Sequence, residues 1–421
     1  MALRVQLAVL AEPDYRRLFL GRTASLIGDG MAPVALAFAV LGLTGSATDL
    51  GIVLAAHGVV ITALILAGGV VADRVSPRVA MLGADVTRAA STAAMAALLL
   101  TGTAEIWQLA VLYAIDGAAT AFFNPASNSI VPQIVPGPRL QEANALLSIS
   151  RNAGKVVGPA LAGVLLALGS PGTALAVDAA TFAISAFCLL GVHAPRLRGA
   201  GETSSFVSEL RHGWREFSSR DWMVAVICSA AVSNAIFFPI WQVLGPAVAE
   251  DSLGGSSAWA LIAALFGVGG LLGGGLSLAI RPRRPLLVSE VFVVFLATPV
   301  VLLAFPAPTA AIAAGALISG TTLGLAEVLY ETAVAQNIPP ESLSRVVAYD
   351  WFGSLALEPL GLALVGPLAA GIGVSTTLLL GAATITVCQA MVVLVPGVRR
   401  LEYHPEATGP APNFRPVEAG D

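Results

Sequence analysis

The stretch GKVVGPALAG, residues 154–163, returns in the second half of the chain as GLALVGPLAAG, residues 361–371, with Gly158-Pro159 matched by Gly366-Pro367. A second pair keeps nearly the same spacing: PQIVPGPRL at 132–140 echoes AQNIPPESL at 335–343. GGVVADRVSPR at 68–78 has a degraded partner in LSLAIRPRR at 276–284. The separation is about 205 residues, near half of the 421-residue chain. The chain therefore reads as two related halves.

Composition says what surrounds those halves. The chain is 56% hydrophobic and 11% charged, with a mean hydropathy of +0.83. Soluble domains carry about 25% charged residues. Fewer than half that number cannot coat a water-facing surface of this size, so most of the chain must face lipid or other helices. A net charge of −4 argues against a nucleic-acid partner. Cys188, Cys228 and Cys388 fall inside apolar runs and read as packing residues. The stretch LAVLAEPDYRR has too short an apolar core for a removable signal, so the first span is expected to act as its own targeting signal.

A spanning helix needs about 20 mostly apolar residues. Candidates are 17–43, 49–72, 80–101, 105–130, 142–168, 173–193, 222–248, 257–280, 285–305, 309–335, 346–370 and 374–396. The expected fold is an all-α membrane protein of twelve transmembrane helices in two pseudo-symmetric six-helix halves. The expected units are a half at 1–193, a linker at 194–221, a second half at 222–396 and a disordered tail at 397–421. The loops TGSAT, TGTAE, GSPGT, EDSLGGSSA, FPAPT and GIGVS carry no Lys or Arg, whereas the opposite loops carry Arg16, Arg17, Arg74, Arg78, Arg139, RPRR at 281–284, Arg345, Arg399 and Arg400. The positive-inside rule then puts both termini in the cytoplasm. In SSFVSELRHGWREFSS, 204–219, Phe206, Leu210, Trp214 and Phe217 recur at helical spacing, which predicts an amphipathic helix on the inner membrane surface. Duplicated six-helix halves are a transporter plan, with the ligand site between them near mid-membrane.

These residues resemble the major facilitator superfamily. GGVVADRVSPR is similar to its loop signature Gly-x-Leu-Ala-Asp-Arg-x-Gly-Arg-Arg; Gly69, Ala72, Asp73, Arg74 and Arg78 match, while Ser76 and Pro77 depart from it. GKVVGPALAG resembles the helix 5 signature of the exporters, with Gly154, Gly158, Pro159 and Gly163 in place and Ala162 standing for the last-but-one glycine. The helix 4 arginine signature is absent, and Asp116 lies in that helix. YRRLFLGRTASLIGDG, AFFNPASNSIVPQIV, LQEANALLSISR and AVDAATFAISAF resemble the subgroup that includes the enterobactin exporter and macrolide efflux proteins. The resemblance implies that helices 1, 4, 7 and 10 line a central cavity, and that Asp73, Arg74 and Arg78 serve the conformational change rather than the substrate.

Each cavity helix carries a polar group near mid-depth: Asp29, Asp116, Asn234 and Glu327. Asp29 lies roughly 20 Å past Arg16 at 1.5 Å rise per residue. A carboxylate there costs about 2.5–3.5 kcal/mol on insertion scales, so it needs a wet cavity or a partner. Gly28, Gly30 and Pro33 loosen its helix. Asp29 reads as a proton carrier or as a packing carboxylate. Asp116 reads as a proton or cation site, or as a carboxylate bonded to backbone or Thr120. Glu327 and Glu331 share a face at i, i+4, as do Arg151 and Lys155, the only lysine in the chain. An intramembrane lysine needs a counter-charge, and Lys155 is expected to pair with Asp29 or Asp116. Asp85 is expected to pair with Arg88 within helix 3, and Asp350 with Arg345. Glu358 is a possible counterpart of the helix 5 charges, His57 reads as packed, and Asp178 as structural. Trp241, Phe237 and Phe238 offer an aromatic wall beside Asn234.

No phosphate-binding GxxxxGK[ST] loop and no His/Cys cluster is present, so neither ATP chemistry, a metal nor another cofactor is expected, and no enzyme constellation is seen. The resulting expectation is a monomeric secondary transporter in the plasma membrane, exporting small amphiphilic molecules (an antibiotic, drug or siderophore) in exchange for protons. The same scaffold would also serve proton-coupled uptake of a nutrient or siderophore, or act as a non-transporting receptor or scaffold.

Overall fold

The computed structural model describes residues 8–74, 76–193, 214–280, 282–305, 307–338 and 340–402, and the side chains within them except at 65–74, 138, 340–345 and 348. The first half holds α1 (Pro13–Thr44), α2 (Ala47–Arg74), α3 (Pro77–Thr101), α4 (Ile106–Ile134), α5 (Leu140–Leu168) and α6 (Pro171–Leu190). The second holds α7 (Asp221–Leu253), α8 (Ser256–Ser277), α9 (Pro285–Ala304) and α10 (Thr309–Asn337), then α11 (Pro340–Leu355), α12 (Glu358–Ile372), α13 (Val374–Leu394) and the short α14 (Pro396–Arg400). Among the described residues ten segments are long and apolar enough to cross a membrane. Residues 1–7, 204–213 of the expected amphipathic helix, and the tail from 403 lie outside the described residues.

Local chemistry explains the boundaries. Proline opens α1, α3 and α6, where a missing N–H costs nothing. Gly45 and Gly102 close α1 and α3 in the left-handed region, at φ +65° and +71°, a conformation glycine adopts without a Cβ clash. Two expectations are corrected. The span set at 222–248 runs on to Leu253 through π-helical turns at Ile240–Leu244 and Ala249–Leu253. The span set at 346–370 is interrupted between Leu355 and Glu358, because Pro359 lacks an N–H and its ring crowds the carbonyl of Leu355.

In the first half α1 lies between α5 and α6, α2 packs on α4, and α3 packs on α4 and α6. In the second half α8 and α9 pack on α10, while α7 packs on α11, α12 and α13. The halves meet along two seams, α5 against α8 and α2 against α12. Glycines set the closeness of these contacts. A Cβ on Gly158 would come within 2.6 Å of Gly30 Cα, so α5 and α1 touch backbone to backbone.

The core is shared at one end and divided at the other. Met31–Leu41 of α1 and Leu50–Ala55 of α2 pack in one cluster with Phe237, Ile240 and Val243 of α7, Ile262 of α8 and Leu362 of α12. Toward the arginine-bearing end there are two separate clusters. One, around Tyr15, Met81, Phe123 and Leu147, belongs wholly to the first half. The other, around Trp222, Leu286, Ala333 and Val392, belongs wholly to the second. Among the described residues the halves thus share one core at the end without basic loops and keep separate cores at the basic end. Phe217, from the expected surface helix, is buried in the second of these clusters and stacks on Tyr349, its ring centroid 6.1 Å away. It packs as protein core rather than against lipid.

Candidate functional site

Arg88 of α3 is the centre of a buried ionic network. Its Nε donates to Asp116 Oδ1 of α4 at 3.1 Å, and its Nη2 donates to Asp29 Oδ1 of α1. The guanidinium lies 4.0 Å over the ring of Phe182 on α6, a cation–π contact that suits a desolvated arginine. The second oxygen of Asp116 is 3.2 Å from His57 Nε2 of α2, and the His57 ring stacks on Tyr113 at 4.2 Å. One cation therefore ties α1, α3 and α4, and α2 joins through Asp116. Exposure differs along the chain: the Asp29 side chain is 31% exposed, those of Arg88 and Asp116 only 7% and 5%.

Asp178 of α6 fills the notch left by Gly28. A Cβ on Gly28 would fall 2.2 Å from Asp178 Oδ1, so the carboxylate lies beside the turn that carries Asp29. The glycine next to Asp29 serves close packing of a neighbouring acid. Arg22 lies 4.4 Å over the Phe123 ring on the same bundle.

Several expectations are corrected by this arrangement. Lys155 pairs with neither Asp29 nor Asp116, because Arg88 reaches both from α3. Asp85 closes no ion pair with Arg88, and the two interact only at longer range; it faces Ser185 of α6 without closing a hydrogen bond within 3.5 Å. Thr120 does not hold Asp116. The Arg345 side chain lies outside the described residues, and Asp350 accepts from Tyr330 Oη at 3.1 Å. Phe237 is not a cavity wall: it is buried in the shared core, where it stacks on the half-buried Trp241 and lies tilted against the half-buried Phe266, 5.8 Å between centroids.

The remaining candidates divide. Asn234 donates to the Ser354 carbonyl at 3.0 Å, tying α7 to α11. Gln242 donates to Glu358 Oε1 at 3.3 Å. Arg151, Lys155, Glu327 and Glu331 are exposed on α5 and α10. Of the signature loop, the side chains of Asp73 and Arg74 lie outside the described residues, as does any side-chain environment at Gly69. Arg78 donates through Nε to Leu189 O at 2.9 Å and through Nη2 to Leu190 O at 2.6 Å, a cation hydrogen-bonded to the last carbonyls of α6. Gly154 receives Leu26 of α1, and Gly163 receives Ala260 of α8; Pro159 is buried within α5.

The family model of the Major Facilitator Superfamily matches residues 18–357. The chain belongs to that superfamily. It is similar to the multidrug efflux pump Tap of Mycolicibacterium fortuitum, 29% identical over 402 residues that cover 91% of this chain and 96% of the relative. Macrolide efflux protein A of Streptococcus pyogenes is 24% identical over 91% of this chain and 96% of its own length. Among solved structures, the nucleoside transporter NupG superposes with a TM-score of 0.71 at 14% identity, over 90% of this chain and 98% of that one. A bacterial homologue of the human lysosomal transporter Spinster, inward-facing and unoccupied, gives 0.70 at 16% identity, over 93% and 98%. These two share the fold. As a superfamily member the protein is a multi-pass transporter of the cell membrane that acts on small molecules.

Within that family frame, the residue missed as a centre is Arg88. Its i, i+3 spacing from Asp85 offered a local partner, and that spacing concealed the longer reach to α1 and α4. The sequence carries only an indirect signal: the first half supplies Asp29, His57, Asp116 and Asp178, so a cation in the same half has acids to meet, but nothing in the sequence says that Arg88 is the one.

Proposed function

We propose that the protein exports small amphiphilic molecules by proton antiport, through twelve crossing helices with both termini in the cytoplasm. Ten segments qualify on length and apolarity alone. The other two crossings are α3 and α5, of 25 and 29 residues, whose extra charges are those of the Arg88 network and the cavity wall. With the basic end cytoplasmic, the parted cores correspond to an inward-facing state. Relatives named as multidrug and macrolide efflux pumps over nine-tenths of the chain support the direction and the substrate class.

The observation that carries the coupling is the bond between Arg88 and the partly exposed Asp29. A proton that reaches Asp29 from the open side neutralises it and frees α1 from α3. The same α1 contributes Met31–Leu41 to the core that seals the opposite end. Releasing Asp29, on the turn that leads directly into Met31, therefore biases that seal. Substrate leaving outward and a proton returning inward then use the two openings alternately. One proton falling through one pH unit supplies about 1.4 kcal/mol, and the membrane potential adds about 2.3 kcal/mol per charge per 100 mV.

Everted vesicles from a strain overproducing the protein test this. Adding a transported drug should release accumulated protons, read with a pH-sensitive dye, and Asp29→Asn should abolish that release. Complementation of a drug-sensitive deletion strain by wild type but not by Asp29→Asn should follow. Drug accumulation driven only in right-side-out vesicles would mean uptake instead, and ligand binding without flux in either orientation would mean a receptor.

A further inference from the structure

Four charged side chains stand apart from the Arg88 network. Arg151 and Lys155 project from α5 of the first half, Glu327 and Glu331 from α10 of the second, and all four are exposed. None of them enters an ion pair among the described residues. Two faces of α5 are open. One carries Ile149, Val157, Val164 and Leu168 and is the face for lipid. The opposite one carries Asn144, Arg151 and Lys155, and such residues belong on a wet gap between the halves.

The two pairs are brought near each other by α8. A Cβ on Gly267 of α8 would meet the Lys155 carbonyl at 2.6 Å, and one on Gly324 of α10 would meet the Gly270 carbonyl of α8 at 2.4 Å. So α5 and α10 flank the same turns of α8. Side chains lean toward the N-terminus of their helix. The N-terminus of α5 is at the basic end and that of α10 at the other, so Lys155 leans toward the opening while Glu327 leans inward, and their heads converge in depth. Glu331 is close enough to Arg151 and Lys155 to interact with both electrostatically. Phe266 of α8 and Trp241 of α7, half-buried and 4.8 Å apart between ring centroids, supply apolar surface beyond them.

This division of charge is not a legacy of the duplication. In the register that matches 132–140 with 335–343, Glu327 and Glu331 fall on Asn124 and Asn128 of α4, two exposed carboxamides. The first half thus presents cations and neutral amides to the gap, and the second presents carboxylates. We propose that the cavity selects zwitterionic amphiphiles: the anionic group of the ligand is held by Arg151 and Lys155, its cationic group by Glu327 and Glu331, and its apolar body by Phe266 and Trp241. A plain cation leaves the two basic side chains uncompensated, and a plain anion leaves the two acids so. The inference rests on the exporter reading only for the direction of flux.

Rhodamine B and its ethyl ester share one apolar body and differ by a single carboxylate, so the first is a zwitterion at neutral pH and the second a cation. Binding of each to the purified full chain in detergent, by fluorescence anisotropy at low salt, is the test. Wild type should bind rhodamine B about tenfold tighter than the ester. Arg151→Gln with Lys155→Gln should bring that ratio to about one, Lys155→Arg should preserve it, and Glu327→Gln with Glu331→Gln should weaken both dyes. Monodisperse elution of each variant checks its fold, and Lys155→Gln alone serves if the double change does not survive purification. Equal binding by wild type, no binding of either dye, or a ratio unmoved by loss of the cations overturns the proposal; an equal loss of both dyes in the Arg151/Lys155 variant, the mark of a simple gate, does the same. Zwitterion preference without proton-driven efflux in vesicles would leave this site standing and remove the exporter reading.

Discussion

The guanidinium of Arg88 bridges Asp116 and Asp29: Nε donates to Asp116 Oδ1 at 3.1 Å while Nη2 donates to Asp29. Those three residues sit on α4, α3 and α1, so a single side chain fixes the mutual position of three helices. A planar guanidinium can serve two carboxylates at once because its donors fan out in a fixed fork.

Removing Arg88 should therefore cost more than removing any other charge in the bundle. Arg88→Met leaves two carboxylates without their counter-charge, and breaking a buried pair from one side costs about 3–5 kcal/mol. Arg88→Lys retains the charge but loses the fork, and should fall between wild type and Arg88→Met. Melting of the detergent-purified protein, followed by size-exclusion chromatography, checks the order. A melting temperature for Arg88→Met equal to that of wild type would show that the bridge carries no stability.

The two acids should behave differently when neutralised. Asp29 is 31% exposed and Asp116 5%, so only Asp29 meets water readily. Asp29→Asn should block proton-driven flux yet retain substrate exchange at equal pH on both sides, since exchange needs no net proton movement. Asp116→Asn should lower thermal stability as well, because it also loses the contact to His57. Counterflow compared with gradient-driven uptake in reconstituted vesicles separates the outcomes. If Asp29→Asn still concentrates substrate against its gradient, Asp29 is not the proton carrier.

The helix positions were legible because apolar run length is dictated by the bilayer. The helices α1, α6, α8 and α13 fall close to where hydropathy puts them. The break before Pro359 and the π turns of α7 were not legible. A proline in an apolar run is compatible with either a kink or an interruption, and π turns depend on tertiary packing rather than on composition. Asp29 and Asp116 could be singled out because a lone carboxylate in lipid is costly. Their common partner could not, since sequence shows only neighbours along a helix, whereas Arg88 acts across three.

The divided cores predict an asymmetry of access. Asn128 is exposed at the parted end of α4, whereas Val40 is fully buried in the shared core. In a background with Cys188, Cys228 and Cys388 replaced by serine, Asn128→Cys should react with a membrane-impermeant maleimide in everted vesicles. Val40→Cys should not react from either side. Added substrate that drives the halves to the opposite opening should protect Asn128→Cys. Equal labelling of the two sites would mean that the seal is absent in the membrane.

Glycine on α5 gives the sharpest steric prediction. A Cβ at Gly158 would lie 2.6 Å from the Gly30 Cα and 2.8 Å from the Ile27 carbonyl, both backbone atoms that cannot rotate away. Gly158→Val should thus push α1 off α5, with an overpacking cost of about 1–3 kcal/mol. Because α1 carries Asp29, the same displacement should reduce transport beyond what the drop in stability explains. Gly83 on α3 is the matched control: no atom outside its own helix lies within 4 Å of a built Cβ. Gly83→Ala should be neutral or stabilising, by up to about 1 kcal/mol from helix propensity. The check is paired melting and transport of the two variants at equal expression. Should Gly158→Val melt and pump like wild type, the backbone contact between α1 and α5 does not hold Asp29 in place.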